Sequence, residues 1–199
     1  MYISEPRCKK CGKPLKKDTE EYCADCGEQK SYLNCGLNLW LHREPVSGAL
    51  YRFKYHNKRN YGRIFAGELA ERYERQILGW KIQEIVPVPL HRSRRRKRGF
   101  NQSEIIAREL SDATGIPVRT DVLFRVKKTS PQKRLGKTQT QPKRRGAGAV
   151  AGSGKPPENV LLSHEIYTTG ATLERAAKIL RIAGVQNVYF LTVSIGQGI

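Results

Sequence analysis

The segment 159–194 leaves this chain little choice of fold. Val160-Leu161-Leu162 is a wholly apolar run, a Thr/Gly turn follows it, and Leu173, Ala176, Ala177 and Leu180 then recur at helical spacing before a second apolar stretch. The pattern predicts a strand over 159–163, a helix over 171–183 and a strand over 187–194. Upstream, Ile64, Phe65, Leu69, Tyr73, Ile77 and Leu78 space a helix across 62–78. Glu84-Ile85-Val86-Pro87-Val88-Pro89 reads as a short buried strand ending at prolines. Residues 101–113 form a further helix with Ile105, Ile106 and Leu110 inward, closed by Thr114-Gly115-Ile116-Pro117. Strands are also expected over 122–126 and near 148–152. Short apolar strands alternating with helices predict an α/β fold, a parallel sheet covered on both faces by helices.

Charge sets the kind of partner. The chain of 199 residues carries a net charge of +19, a field that favours polyanions: nucleic acid first, anionic membrane second, small phosphates third. The charge is clustered. His91-Arg92-Ser93-Arg94-Arg95-Arg96-Lys97-Arg98 is one block, and the span from Val122 to Pro157 holds ten Lys/Arg with no Asp or Glu. Much of that span, Lys127 to Pro157, is a long polar loop rich in Gly and Pro, of the kind that is functional or disordered. No apolar run approaches the roughly 20 residues a bilayer span requires. The start MYISEPRCKKCG lacks the apolar segment of a secretory signal, so a cytoplasmic location is expected.

All five cysteines fall within the first 35 residues. Cys8-x2-Cys11 and Cys23-x2-Cys26 are two matched knuckles on either side of a Lys-rich hairpin, each followed by a glycine, Gly12 and Gly27. Four thiolates so spaced suit a closed tetrahedral zinc site, structural because no position is left for water. Cys35 lies outside the pattern and reads as a packing residue. A zinc-binding module over 1–36 and a main domain over 37–199 follow. Between them, Tyr51, Phe53 and Tyr55 alternate with Arg52 and Lys54, a strand or the start of a helix. These aromatics serve either as core or as a base-stacking platform flanked by cations.

Tyr167-Thr168-Thr169-Gly170-Ala171-Thr172 is the segment that carries chemistry. It stands where a strand of an open α/β sheet ends, the edge at which such folds bind ligands. Gly170 permits a left-handed turn and close approach of a phosphate, the threonines supply hydroxyls, and the amides opening the helix attract an anion. The phosphate cradle is therefore Thr168, Thr169, Gly170, Ala171 and Thr172.

The run LLSHEIYTTGATL resembles the phosphoribosyl-pyrophosphate motif of type I phosphoribosyltransferases. Together with the CxxCG pairs, VPVPLHRSRRRKRGFNQSE at 86–104 and SPQKRLGKTQ at 130–139, the whole chain resembles the ComF family, competence proteins that join a four-cysteine zinc module to a phosphoribosyltransferase-like domain. The resemblance implies a type I phosphoribosyltransferase-like parallel sheet flanked by helices. It places a pyrophosphate loop at Pro87-Val88-Pro89-Leu90, with Arg92, Arg94, Arg95, Arg96 and Arg98 near the anion, and a mobile flap around Gln132. It implies a role in DNA uptake for transformation, with competence proteins as partners; the clustered charge adds single-stranded DNA as a partner, bound through Arg92–Arg98 and the basic loop. Exposed aromatics such as Phe100 would assist by stacking. In the alternative, the chain is a phosphoribosyltransferase using phosphoribosyl pyrophosphate, with Mg²⁺ on the pyrophosphate, an acceptor the sequence leaves unspecified, and Glu165 as catalytic residue beside the ribose. The chain departs from the motif where two adjacent acidic residues normally accept the ribose hydroxyls: it has His164-Glu165. A second departure lies around Thr138–Ala149, where a basic helix and aromatic are diluted to a Gly/Pro-rich stretch.

Overall fold

The computed structural model describes residues 2–27, 30–125, 147–149 and 156–196. In chain order the elements are α1 (Ala24–Gly27), β1 (Gly36–Leu41), α2 (Val46–Tyr55), α3 (Asn60–Gly79), β2 (Glu84–Pro87), α4 (Arg92–Arg98), α5 (Gln102–Thr114), β3 (Leu123–Arg125), β4 (Ala147–Ala149), β5 (Asn159–Tyr167), α6 (Ala171–Ile182) and β6 (Asn187–Ile195). Four strands form a sheet in the order β1-β6-β5-β2, and every pair in it is parallel. The carboxyl ends of all four therefore lie along one edge.

The two faces are covered differently. Leu50 and Phe53 of α2, Phe65, Leu69 and Ile77 of α3, and Ile106 and Leu110 of α5 pack with Ile85, Leu161 and Val193 on one face. On the other, Leu173, Ala177 and Leu180 of α6 share a cluster with Val160, Leu162, Phe190 and the side chains of Cys8, Cys11 and Cys23. The cysteine module thus takes a place that a second helix fills in an evenly covered sheet. It is tied down by polar contacts as well. The buried Asn38 of β1 donates to Cys11 O at 2.6 Å and accepts from Thr192 Oγ1 at 2.6 Å, while Tyr73 Oη donates to Asn38 O at 2.7 Å. A buried amide with this many partners fixes the knuckle to the sheet, because any shift leaves polar groups unpaired.

The expected parallel sheet flanked by helices is present, with three local differences. Residues 46–55 are helix: Phe53 is fully buried, whereas Tyr51 and Tyr55 point to solvent. In α3, Ile64 and Leu78 are exposed, and the inward stripe is narrower than the spacing implied. Strand β5 runs four residues beyond Ser163, so His164 and Glu165 lie inside it; His164 pairs with Thr192, and Gly196 N donates to Tyr167 O at 2.9 Å, which prolongs the ladder. The strand expected near 148–152 is β4, antiparallel to β3. The expected flap around Gln132 and most of the basic loop lie outside the described residues.

Candidate phosphate and metal sites

Four sulfurs converge at the N-terminus. The Sγ atoms of Cys8, Cys11, Cys23 and Cys26 all lie within 4.8 Å of one another. Four ligands about 2.3 Å from one ion stand at comparable separations, so the set fits a tetrahedral metal. Gly12 has φ +70°, and a Cβ there would meet Asn38 Nδ2 and Gly36 O. Here glycine is required both by the left-handed turn and by close approach to β1. Gly27 differs: it ends the single helical turn of α1, with its amide on Cys23 O at 3.0 Å, and needs no special φ. The thiol of Cys11 hydrogen-bonds Cys8 and lowers the Cys8 thiol to about 4 against the effect of burial, helped by the amides of Cys11, Cys23 and Lys10. The same shared proton and burial push Cys11 up, and burial pushes Cys26 up to about 12. One thiolate forms readily at Cys8 while Cys11 and Cys26 resist, so a full set of four needs a cation among them. Cys35 is outside the cluster, and burial raises its thiol.

The Thr/Gly turn joins β5 to α6. Gly170 has φ +73° and precedes the first helical residue, Ala171. Thr168, Thr169, Ala171 and Thr172 are exposed. Among the described residues the amides of Thr169, Gly170 and Thr172 have no hydrogen-bond partner, and Ala171 N makes a long contact of 3.5 Å to Thr169 Oγ1. These donors stand at a helix start, where the dipole favours an anion. The space a Gly170 Cβ would fill is taken by the Tyr167 hydroxyl, 2.5 Å away, whose ring stacks on Phe190 with centroids at 5.3 Å. Glycine is therefore needed at this turn for the tyrosine as well as for the backbone.

A cavity of about 400 Å³ opens beside the turn, lined by Tyr167, Thr168, Thr169 and Glu174 on one wall and by Lys10 and Lys13 on the other. The two lysines flank the first knuckle. Sequence reasoning saw the Lys-rich hairpin but gave it no place near the turn, since only the docking on Asn38 brings them together. The wall is not purely basic: Lys13 pairs with Asp25 at 3.0 Å, and the Glu174 carboxylate is held by Ser31 and by the Tyr32 amide.

His164-Glu165, at the position of the expected ribose reader, faces inward. Glu165 is 7% exposed. Its Oε1 lies 3.4 Å from Lys54 Nζ; its Oε2 accepts from Ser103 Oγ at 3.0 Å and lies 2.7 Å from His164 Nδ1. The Nδ1 atom is also 3.1 Å from Ser103 Oγ, so one N–H divided between the two oxygens satisfies both contacts. Burial alone would raise the Glu165 carboxyl, but His164 and then Lys54 overcome it and hold the group well below the ordinary carboxylate range. The carboxylate is an internal ion-pair member with both oxygens engaged.

Residues 86–104 also resolve into distinct roles. Val88 is buried; its amide donates to Ser163 O at 3.0 Å and its carbonyl accepts from Asn101 Nδ2 at 3.1 Å. Pro89 has no amide. Neither residue offers the free N–H that a pyrophosphate loop needs. Arg98-Gly99-Phe100-Asn101-Gln102 proves to be a set of pins. Phe100 is 7% exposed, packed 5.9 Å from Phe53 with Arg59 over its ring, which removes it as a stacking surface. Arg98 reaches Gln102 Oε1 at 3.1 Å and Tyr55 Oη at 3.1 Å. The next residue, Ser103, holds Glu165. Helix α4, by contrast, projects its charge outward. Arg92, Arg94, Arg95, Arg96 and Lys97 are exposed; Arg95 lies 3.7 Å from Glu104, and Arg92, Arg94, Arg96 and Lys97 have no partner among the described residues.

Among the described residues no helix is long and apolar enough to cross a membrane. No family model matches the chain. Curated relatives do. Competence protein F of Haemophilus influenzae is 31% identical over 190 residues, 93% of this chain and 82% of the relative. ComFC of Streptococcus pneumoniae is 26% identical over 198 residues, 91% and 84% of the two chains. ComFC of Bacillus subtilis is 25% identical over 180 residues, 87% and 70%. Among solved structures, adenine phosphoribosyltransferase from Leishmania tarentolae has a TM-score of 0.42 at 12% identity, covering 72% of this chain and 74% of its own. The extent of the match to competence protein F, at 31% identity over 93% of this chain and 82% of the relative, places the chain in the ComF family of competence proteins.

Proposed function

We propose that this protein binds single-stranded DNA during DNA uptake for natural transformation, with a structural zinc ion in the cysteine cluster and a phosphate-binding turn at Thr168–Thr172. The observation that carries the reading is the row of partnerless cations on α4. Between Glu84 and Glu104 the chain has no acidic residue, so nothing local neutralises Arg92, Arg94, Arg96 and Lys97. Such groups gain by displacing the counterions condensed on a polyphosphate. Zinc is among the ions that a tetrahedron of four soft thiolates suits; it would supply cross-linking of the module and no reaction step. Lys10 and Lys13 stand beside the free amides of the Thr/Gly turn, offset in the same lining by Asp25 and Glu174, so the amides and not a net charge carry the anion reading there.

The test is anisotropy of a labelled single-stranded oligonucleotide between low and high salt. Each contacted phosphate contributes about 0.7 to the slope of log affinity against log salt. Replacing Arg94, Arg95 and Arg96 with Gln should flatten the slope by roughly 2. Affinity that hardly responds to salt would refute the reading.

The turn itself favours a second reading, phosphoribosyl transfer from Mg²⁺-bound phosphoribosyl pyrophosphate. Glu165 counts against turnover: a general base works best with a pKa near the operating pH, and this carboxyl is held far below it. Calorimetry with the pyrophosphate donor, with and without Mg²⁺, separates the two. Heat at millimolar ligand supports the transferase; none leaves the DNA reading alone.

A further inference from the structure

Two acid-free stretches meet on the surface next to α4. The first runs from Pro45 to Gly67 and carries Arg52, Lys58, Arg59 and Arg63 besides the inward Lys54; the second runs from Ile85 to Ser103. They join where Arg98 donates to Tyr55 Oη at 3.1 Å and lies over the Tyr55 ring, 4.9 Å from its centroid. At this junction α2 presents Tyr51 and Tyr55, which are 56% and 51% exposed. Their ring centroids are 4.9 Å apart and their planes tilt by 47°, so the rings do not close on each other. The His56 ring adjoins Tyr51 at 5.5 Å. Of the other exposed tyrosines, Tyr2 is tethered to Glu68 and Arg72 and Tyr32 to Lys178, and Tyr22 stands beside Lys9, Lys10 and Cys26 in the cysteine module. Among the described residues the Tyr51 hydroxyl has no hydrogen-bond partner.

We infer that Tyr51 and Tyr55, steadied by Arg98, form a stacking platform for unpaired bases of single-stranded DNA, whose phosphates run along Arg92, Arg94 and Arg96. The inference rests on the DNA-binding reading above and says which state of the polymer is preferred. Aromatic faces take bases only when those bases are free of a partner strand, whereas cations alone read any phosphate chain. One residue type on one side of α2 supplies the stacking faces while Phe53, between them in sequence, points into the core. The cation over Tyr55 covers one of its faces and leaves the other for a base.

The experiment compares three labelled probes with the metal-loaded full chain at one salt concentration: a thymidine 20-mer, an abasic 20-mer of the same charge, and a 20-base-pair duplex. The thymidine strand should bind at least about five-fold more tightly than the abasic strand. Replacing Tyr51 and Tyr55 together by Ala should bring the two affinities together without changing abasic binding or its salt slope. Tyr51→Phe should behave as the parent, because the ring and not the hydroxyl is used. A parent protein that binds thymidine and abasic strands equally, or a double variant that loses both equally, overturns the platform while the basic-helix reading stands. If no probe binds in a salt-dependent way, both readings fall.

Discussion

Removing the Lys54 ammonium should expose how much the inward-facing carboxylate depends on it. In Lys54→Met, Glu165 keeps Ser103 and His164 but loses the cation at 3.4 Å. At that distance the attraction is about 5 kcal/mol for an effective dielectric constant of 20. Relief of the lysine's own partial desolvation returns some of it, since its side chain is 16% exposed. Two partners remain on the carboxylate, so the net cost should be about 3 kcal/mol, the low end for breaking a buried pair. For a chain this long that is roughly 6–12 °C in Tm. The sign with pH follows from the depressed carboxyl. Its contribution to stability is full above the unfolded value near 4.3 and is lost as pH falls through the lower folded value. Without Lys54 the folded value rises, the variant protonates earlier, and the deficit relative to the parent shrinks as the solution is acidified.

Denaturant unfolding of parent, Lys54→Met and Lys54→Met/Glu165→Gln at pH 7 and pH 4 measures this. The double variant, neutral on both sides, should recover most of the loss. A second readout is the His42 titration by NMR: burial first and Lys54 next hold that ring below its ordinary value, so Lys54→Met should raise it. A deficit under about 0.5 kcal/mol that is the same at both pH values would refute the reasoning, because a surface pair behaves that way.

Stripping the metal with a chelator should cost at least about 2 kcal/mol, or roughly 4–8 °C in Tm, because Cys8, Cys11 and Cys23 belong to the cluster beneath Phe190 and Leu173. Elemental analysis should find one zinc per chain, lost in Cys8→Ser and kept in Cys35→Ser; an unchanged Tm in metal-free protein would remove the ion from the structural account. Gly170→Ala should destabilise by about 1–2 kcal/mol from the left-handed backbone alone, and more from the approach to Tyr167. It should also abolish binding of inorganic phosphate at the turn, seen as loss of chemical-shift changes at Thr169 and Thr172.

The fold was legible where residues bury by period. The apolar triplet at 160–162 and the spacing of Leu173, Ala176, Ala177 and Leu180 mark β5 and α6 without reference to anything distant. Element ends were less so. Strand β5 continues through His164 and Glu165 by pairing with β6, and the buried charge is met by His164 and by Lys54, more than 100 positions earlier; no local pattern reveals a partner that far away. The cysteine spacing disclosed a metal set, but not that the module covers one face of the sheet. That depends on Asn38, a polar residue in a strand whose role appears only when its three partners are in place. Phe100 was misread for the same reason: an aromatic beside arginines looks alike in sequence whether Phe53 lies beneath it or solvent does.

These long-range contacts bear on what the site can do. A carboxylate that reads a ribose must be available to hydroxyls, and availability requires that no internal cation satisfy it first. In this chain Lys54 does satisfy it, and Lys54 sits on α2 between the two exposed tyrosines. The ion pair that silences Glu165 as an acceptor also fixes the helix that carries the candidate platform. On the proposed reading of β5 as the sugar side of a phosphate site, His164-Glu165 facing Lys54 and Ser103 would weaken that recognition while anchoring α2 beneath Tyr51 and Tyr55. A restored acidic pair should show that coupling: His164→Asp/Glu165→Asp, which shortens the reach to Lys54, should gain affinity for the phosphoribosyl donor and lose affinity for the thymidine strand. Gain of the first without loss of the second would separate the two sites.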